Sequence, residues 1–285
     1  MLLRAKRRRL RIGKSRPFLE VLASFLNEDY RFPILEIVAF IYTLGPYLGS
    51  LFFIGSPQPG AGSQSTLASM LGGFSIFVSL AFIAPVFGIL ILRNIAHGLG
   101  NELERGVIQS FLSYPLKRRS LLTARILSSI GVVFTLLLSI TILDFYIIAP
   151  DVTSTNIIAV FIGSMAFLSF PFLVSSIVLL LTLFFKRGSI SLMVGIVLYF
   201  SSFFLFLILL MLAGLPGMSF LIKLCAILYP SLAIQMHYQT GWDPAMLKVW
   251  APSFDEACLY IGTAYALTFL LLMAGYLYFD RRLEI

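Results

Sequence analysis

The feature that most constrains this chain is a series of apolar runs, each close to or longer than the roughly 20 residues a helix needs to cross a bilayer. They lie at about 33–54, 67–92, 121–149, 157–185, 190–212 and 257–278. Runs of this length commit the chain to lipid. Of the 285 residues, 59% are hydrophobic and only 12% are charged, about half the charged fraction of a soluble domain. The expected fold is therefore an all-α integral membrane protein with six transmembrane helices. No room is left within these residues for a separate soluble catalytic domain. The expected division is a basic arm with an interfacial helix at 1–32, followed by a six-span domain at 33–285.

Charge placement sets the orientation. Nine lysines and arginines precede the first run, six lie between Arg93 and Arg125, two are Lys186 and Arg187, and two are Arg281 and Arg282. With six spans, all four groups fall on one side of the membrane. By the positive-inside rule that side is cytosolic, so both termini are expected there. The net charge of +8 then points to anionic headgroups rather than nucleic acid. Residues 1–16 read as an arm attracted to such lipids, with no apolar core suited to a cleaved signal. Gly13-Lys14-Ser15 resembles the end of a phosphate-binding loop, but Arg8 stands where that loop needs a glycine and no buried strand precedes it.

Three other stretches carry local signals. At 17–30, Phe18, Leu19, Leu22, Phe25 and Leu26 form an apolar face opposite Glu20, Asn27, Glu28 and Asp29, which predicts an interfacial helix. Between the fifth and sixth runs, 220–228 and 232–236 are apolar but too short to span. With a break at Tyr229-Pro230, they predict a re-entrant or surface hairpin on the outer side. Pro171 is expected to kink the fourth span. The two cysteines, Cys225 and Cys258, both near the outer side, are too few for a disulfide framework. Two isolated thiols is the simpler reading, with one bridge geometrically open.

The long polar interval at 100–125 is the candidate functional stretch. Leu103, Val107 and Phe111 recur every fourth residue beside Ile108 and Leu112, with Glu102, Arg105, Gln109 and Ser113 opposite. That spacing predicts a short amphipathic helix, stopped by Pro115 and followed by Lys117, Arg118 and Arg119. Such a helix suits either a lipid surface or the groove of a cytosolic partner.

The order Glu-x-Glu-x-Gly, a short apolar helix, Leu-Ser-Tyr-Pro-Leu, then basic residues and Leu-Leu before a span resembles the coupling segment of type-two ABC exporter permeases. There too the segment follows the second span, and it inserts into a cleft of a separate ATP-binding subunit. Glu102, Glu104, Gly106, Leu112, Pro115, Arg118 and Arg125 match the pattern; Val107 departs from it, many members having threonine there. The resemblance implies an ATPase-coupling set of Glu102, Glu104, Arg105, Gly106, Ile108, Phe111, Leu112, Pro115 and Arg118. It implies no enzyme activity and no cofactor in this chain, with ATP and Mg on two copies of a partner ATPase. It further implies a second permease chain, identical or related, in the cytoplasmic membrane. Mostly apolar spans favour an amphipathic or lipid-like cargo.

Competing readings are a membrane-embedded lipid-modifying enzyme and a non-transporting anchor. The enzyme would need convergent acids, bases or metal ligands at one depth. Glu36 near the inner end of the first span and Asp144 near the outer end of the third are the ionisable candidates, and headgroup hydration accounts for Asp144. His97 and His237 fall on opposite sides of the membrane. Tyr229, Tyr238, Trp242 and Trp250 read as interfacial aromatics. The topology makes a direct prediction. Cysteines placed at Ser63 and Ser15, probed with an impermeant thiol reagent in intact cells, should label at Ser63 only. Labelling at Ser15 would count against six spans.

Overall fold

The computed structural model describes residues 17–31, 33, 36–37, 40, 93–96, 98–108, 117–148, 150–213, 215, 218, 220–238 and 250–281. The described residues are almost entirely helical and contain no strand. Helix α1 is Pro17–Asp29 and α2 is Gly100–Glu104. Helix α3, Arg118–Ile126, passes through a π-helical turn, Leu127–Gly131, into α4, Val132–Ile148. Then follow α5 (Pro150–Thr155), α6 (Ile157–Phe185), α7 (Gly188–Ala213), α8 (Phe220–Leu228), α9 (Pro230–Tyr238) and α10 (Phe254–Arg281).

Four helical stretches are long and apolar enough to cross a membrane: Arg118–Leu143, Ile157–Phe185, Gly188–Ala213 and Phe254–Arg281. They correspond to the third to sixth runs of the sequence. The runs expected at 33–54 and 67–92 lie outside the described residues, apart from Pro33, Glu36, Ile37 and Phe40. Glu36 is exposed. Asp144 falls on the last turns of α4, and its side chain is outside the described set.

Helix α6 is the centre of the bundle. Within the most apolar window of each helix, 61% of α6 is buried, against 20% for α7 and 17% for α10. Its composition allows this. Ser164, Ser169, Ser175, Ser176 and Thr182 are all buried, and each hydroxyl donates to a carbonyl three or four residues back in the same helix, at 2.6–2.8 Å. Small side chains let neighbours approach closely, and the back-bonding leaves no orphan hydroxyl in an apolar interior. The helix runs on through Pro171. That residue supplies no N–H, and its own carbonyl accepts from Ser175 at 2.6 Å.

Neighbouring helices lock onto α6 through aromatic rings. Phe134 of α4 meets Phe172 edge-on at 4.6 Å and Tyr265 of α10 at 6.4 Å. The Tyr265 hydroxyl donates to the Met165 carbonyl at 2.9 Å. At another point Tyr229 stacks on Phe170 at 4.0 Å and lies 4.3 Å from Phe206 of α7.

The break between α8 and α9 falls at Tyr229-Pro230, as the sequence indicates. Tyr229 and Trp250, read from sequence as interfacial aromatics, are instead buried. Tyr229 fills the gap between α6 and α7, and Trp250 lies edge-on to Tyr260 while its indole donates to Glu256 at 3.3 Å. Trp242 lies outside the described residues. Cys225 and Cys258 are free thiols.

The outward faces of α7 and α10 are apolar, with Met193, Phe204 and Met211, and Leu259, Phe269 and Leu270, all at least 60% exposed. A chain that leaves such residues uncovered in water would aggregate, whereas lipid accepts them without cost.

Because Ser176 is fully buried with its hydroxyl bonded within its own helix, Ser176→Ala should be nearly neutral. Ser176→Leu should cost about 1–3 kcal/mol through overpacking. Melting in detergent checks this; equal tolerance of both would mean that α6 is not closely packed there.

Candidate functional site

The segment 100–108 does not form the uninterrupted helix that its periodicity suggests. Helix α2 ends at Glu104. Arg105 N–H donates to Asn101 O at 2.9 Å, Gly106 N–H donates to Leu103 O at 3.3 Å, and Gly106 takes φ +69°. This is a left-handed helix stop that glycine adopts without steric penalty. A Cβ at Gly106 would meet nothing within 4 Å, so backbone conformation rather than crowding accounts for the glycine. Helical backbone resumes at Val107 and Ile108. Phe111, Leu112 and Pro115 lie outside the described residues.

The stop changes which side chains face inward. Ile108 is buried and Leu103 half-buried, but Val107, expected on the apolar stripe, is exposed. Glu104, Arg105 and Arg118 are exposed. Glu102, expected on the outer polar stripe, points into the protein and is buried.

What Glu102 meets is Arg125, only 2% exposed and the largest fully buried side chain among the described residues. Arg125 Nη2 lies 3.2 Å from Glu102 Oε1, and Nη1 lies 3.0 Å from Asp29 Oδ1 of α1. The guanidinium carbon sits 4.8 Å from the centroid of the Phe25 ring, a cation–π contact. Ser128 donates from Oγ to Asp29 Oδ2 at 2.9 Å, and Tyr30 donates from its hydroxyl to the Ser128 carbonyl at 2.5 Å. Thus α1, α2 and α3 close around one guanidinium.

The backbone is shaped to admit it. A Cβ on Gly98 would collide with Arg125 Nη2. The π-helical turn Leu127–Gly131 follows directly, and both Ser128 and Ser129 bond back to the Arg125 carbonyl, at 3.1 and 2.6 Å. On α1, the inward residues are Val21, Phe25 and Asp29, spaced by four. Helix α1 therefore packs onto α3 as well as presenting a surface, and Asp29, assigned from sequence to the polar face, is its innermost polar group. Leu19, assigned to the apolar face, is 54% exposed.

A second junction joins α2 to the turn between α6 and α7. Gly100 and Gly188 pack backbone to backbone, and a Cβ on Gly100 would come 2.8 Å from the Gly188 nitrogen. Gly188 N–H donates to Glu104 Oε2 at 3.4 Å. A third links the start of α3 to the end of α10, where Arg119 forms a two-pronged ion pair with Asp280, at 2.9 and 2.6 Å. These junctions gather the polar segments expected on one membrane side at one end of the bundle.

Electrostatically the buried cluster is unbalanced. Two carboxylates share one guanidinium, and burial disfavours each charge. Burial raises the Asp29 carboxyl above its usual value against the opposing pull of Arg125 and the Ser128 hydrogen bond. Burial likewise pushes Glu102 up to about 7, again opposed by Arg125. Among the described residues, the buried Arg125 Nε finds no hydrogen-bond partner.

The sequence reading undervalued Asp29, Gly98 and Gly188. An arginine just inside an apolar run must find counter-charges, and Arg125 was the signal that could have led to Asp29. No protein-family model matches the chain, and no match is found among curated proteins.

Breaking a buried ion pair costs more than the pair contributes, because the surviving charge stays behind. Arg125→Met should therefore destabilise the protein by about 3–5 kcal/mol. Adding Asp29→Asn and Glu102→Gln should recover most of that loss. Melting temperatures in detergent test this; a triple variant no more stable than Arg125→Met would show that packing, not charge, is what Arg125 supplies.

Proposed function

We propose that this chain is the membrane-spanning permease subunit of a type-two ABC exporter. In this reading it has six spans, lies in the cytoplasmic membrane and has both termini in the cytosol. Two permease chains form the pathway. A separate ATPase subunit, in two copies and carrying ATP and Mg, docks on the polar segment between the second and third spans and drives transport.

The observation that carries this reading is that segment 100–108 is anchored on one side and open on the other. Glu102 grips Arg125 at the start of the third span, and Gly188 donates to Glu104 from the turn between α6 and α7. Arg105 and Val107 face outward. A push on the exposed side is thereby delivered to three spans at once. Coupling requires that the docked ATPase contact this segment differently in the two states of the pathway. Of the residues implied by the resemblance, Glu104 and Arg105 serve as the docking charges, Gly106 sets the turn, and Glu102 and Ile108 anchor the segment.

The test is co-purification with an ATPase subunit encoded beside this chain, followed by hydrolysis assays in lipid. Glu104→Lys with Arg105→Glu reverses both exposed charges. It should leave insertion and permease pairing intact while weakening docking. A buried interfacial pair costs about 2–5 kcal/mol, roughly 30- to 4,000-fold, and an exposed pair far less, so the loss measures how deeply the segment inserts. Gly106→Asn, which tolerates positive φ, should dock like the parent, and Gly106→Trp should not. Asp144→Asn should also spare docking. If the charge-reversal and tryptophan variants both dock and transport normally, the segment is a lipid-surface element and the chain a different kind of membrane protein.

A further inference from the structure

Among the described residues, the cluster around Arg125 contains one more acid than it has bases to neutralise. Asp29 and Glu102 both reach the guanidinium, and all three side chains are at least 89% buried. Fully ionised, the trio carries a net negative charge away from water, a state that proton uptake relieves. Geometry decides where the proton goes. Asp29 accepts from both Arg125 and the Ser128 hydroxyl. Among the described residues Glu102 pairs with Arg125 alone, and at 3.2 Å that contact is the longer of the two.

The surroundings keep the imbalance in place. From α1, Glu28 adds a further negative influence on both acids, and Arg93 a weaker positive one on Asp29. Tyr30 stays protonated, its hydroxyl buried and engaged. Lys186 and Arg187 precede Gly188 in the turn packed on Gly100. Within the segment, Glu104 and Arg105 are exposed to solvent. Among the described residues, Arg125 Nε also finds no acceptor.

We propose that Glu102 and Arg125 form a proton-operated latch that holds segment 100–108 against α1 and α3 when Glu102 carries a proton and frees it when that proton is lost. The proton comes from solvent and returns to solvent; no bond other than the carboxyl O–H is made or broken. The latch rests on the ion pairs that join Asp29 of α1 and Glu102 of α2 to Arg125 of α3, so it holds whether or not an ATPase docks on the exposed side.

The sign follows from linkage. In the packed state Glu102 keeps its proton up to about pH 7, against an ordinary value of 4.5 once it reaches water. The packed state therefore binds the extra proton between those values. The ratio of released to packed segment rises by up to about tenfold per pH unit across that window and levels off above it. Acid favours the closed latch and neutral to alkaline conditions favour release.

The experiment uses the full chain in lipid nanodiscs, with Cys225 and Cys258 changed to alanine and spin labels on Ser24→Cys in α1 and Val107→Cys in the segment. Pulsed dipolar spectra at pH 5 should show one short separation. At pH 8 a longer population should appear, with the released-to-packed ratio up by at least about 30-fold. Glu102→Gln should stay packed at both pH values, and Asp29→Asn, which leaves one acid on one base, should lose most of the response. Infrared difference spectra of the parent should show a protonated carboxyl disappearing between pH 5 and 8, absent from Glu102→Gln. The latch is overturned if the parent shows no such carboxyl titration, if its label separation is unchanged with pH, or if Glu102→Gln keeps the parent's response. Should Glu102→Gln fail to fold, the parent infrared titration together with Asp29→Asn decides the matter.

Discussion

One guanidinium removed from water organises the polar end of this protein. The desolvation of Arg125 is costly unless opposite charges and hydrogen bonds surround it. Those partners come from two segments distant in sequence, Asp29 from α1 and Glu102 from α2. Satisfying Arg125 thus fixes where both segments sit relative to α3. The close approach at Gly98, the cation–π contact with Phe25 and the π-helical turn after Arg125 all serve the same placement. The five-residue α2 has too little apolar surface to specify its position by burial alone.

The apolar part of the structure obeys a different rule. Lipid supplies no hydrophobic drive between helices, so close contact depends on small residues and shape. Helix α6 is central because its serines and threonine are small and bond to their own backbone. Helices α7 and α10 keep large side chains on their outer faces, while among the described residues the inner face of α10 forms the most extensive interface with α6, where Tyr265 donates to the Met165 carbonyl. The two regimes meet at the turn Lys186–Gly188, where a left-handed lysine at φ 53° and a glycine–glycine contact bring α2 against the ends of α6 and α7.

The candidate site was legible in part. Its location between spans, its polarity and the residues Glu104 and Arg105 on its exposed side were readable from periodicity and charge. Its interior was not. A helical wheel places Glu102 beside Arg105 on an outer stripe, yet the buried Arg125 guanidinium 3.2 Å away gives its carboxyl a partner inside. The same wheel carries a helix through Gly106, where a left-handed residue ends it. Asp29 looked like a helix-end surface acid because its partner is 96 residues away, a separation at which no local pattern carries information.

By itself the sequence determined that this is a helical membrane protein, where four of its membrane-length helices begin and end, and that α8 and α9 break at Tyr229-Pro230. These are consequences of local hydropathy, helix length and proline chemistry, which act within a few turns of chain. Tertiary structure alone decided which helix lies at the centre, which polar side chains turn inward, and that one arginine joins three segments. Those outcomes depend on close approach and on the electrostatics of a water-poor interior. Both are properties of residues brought together by the fold and not of any stretch read alone.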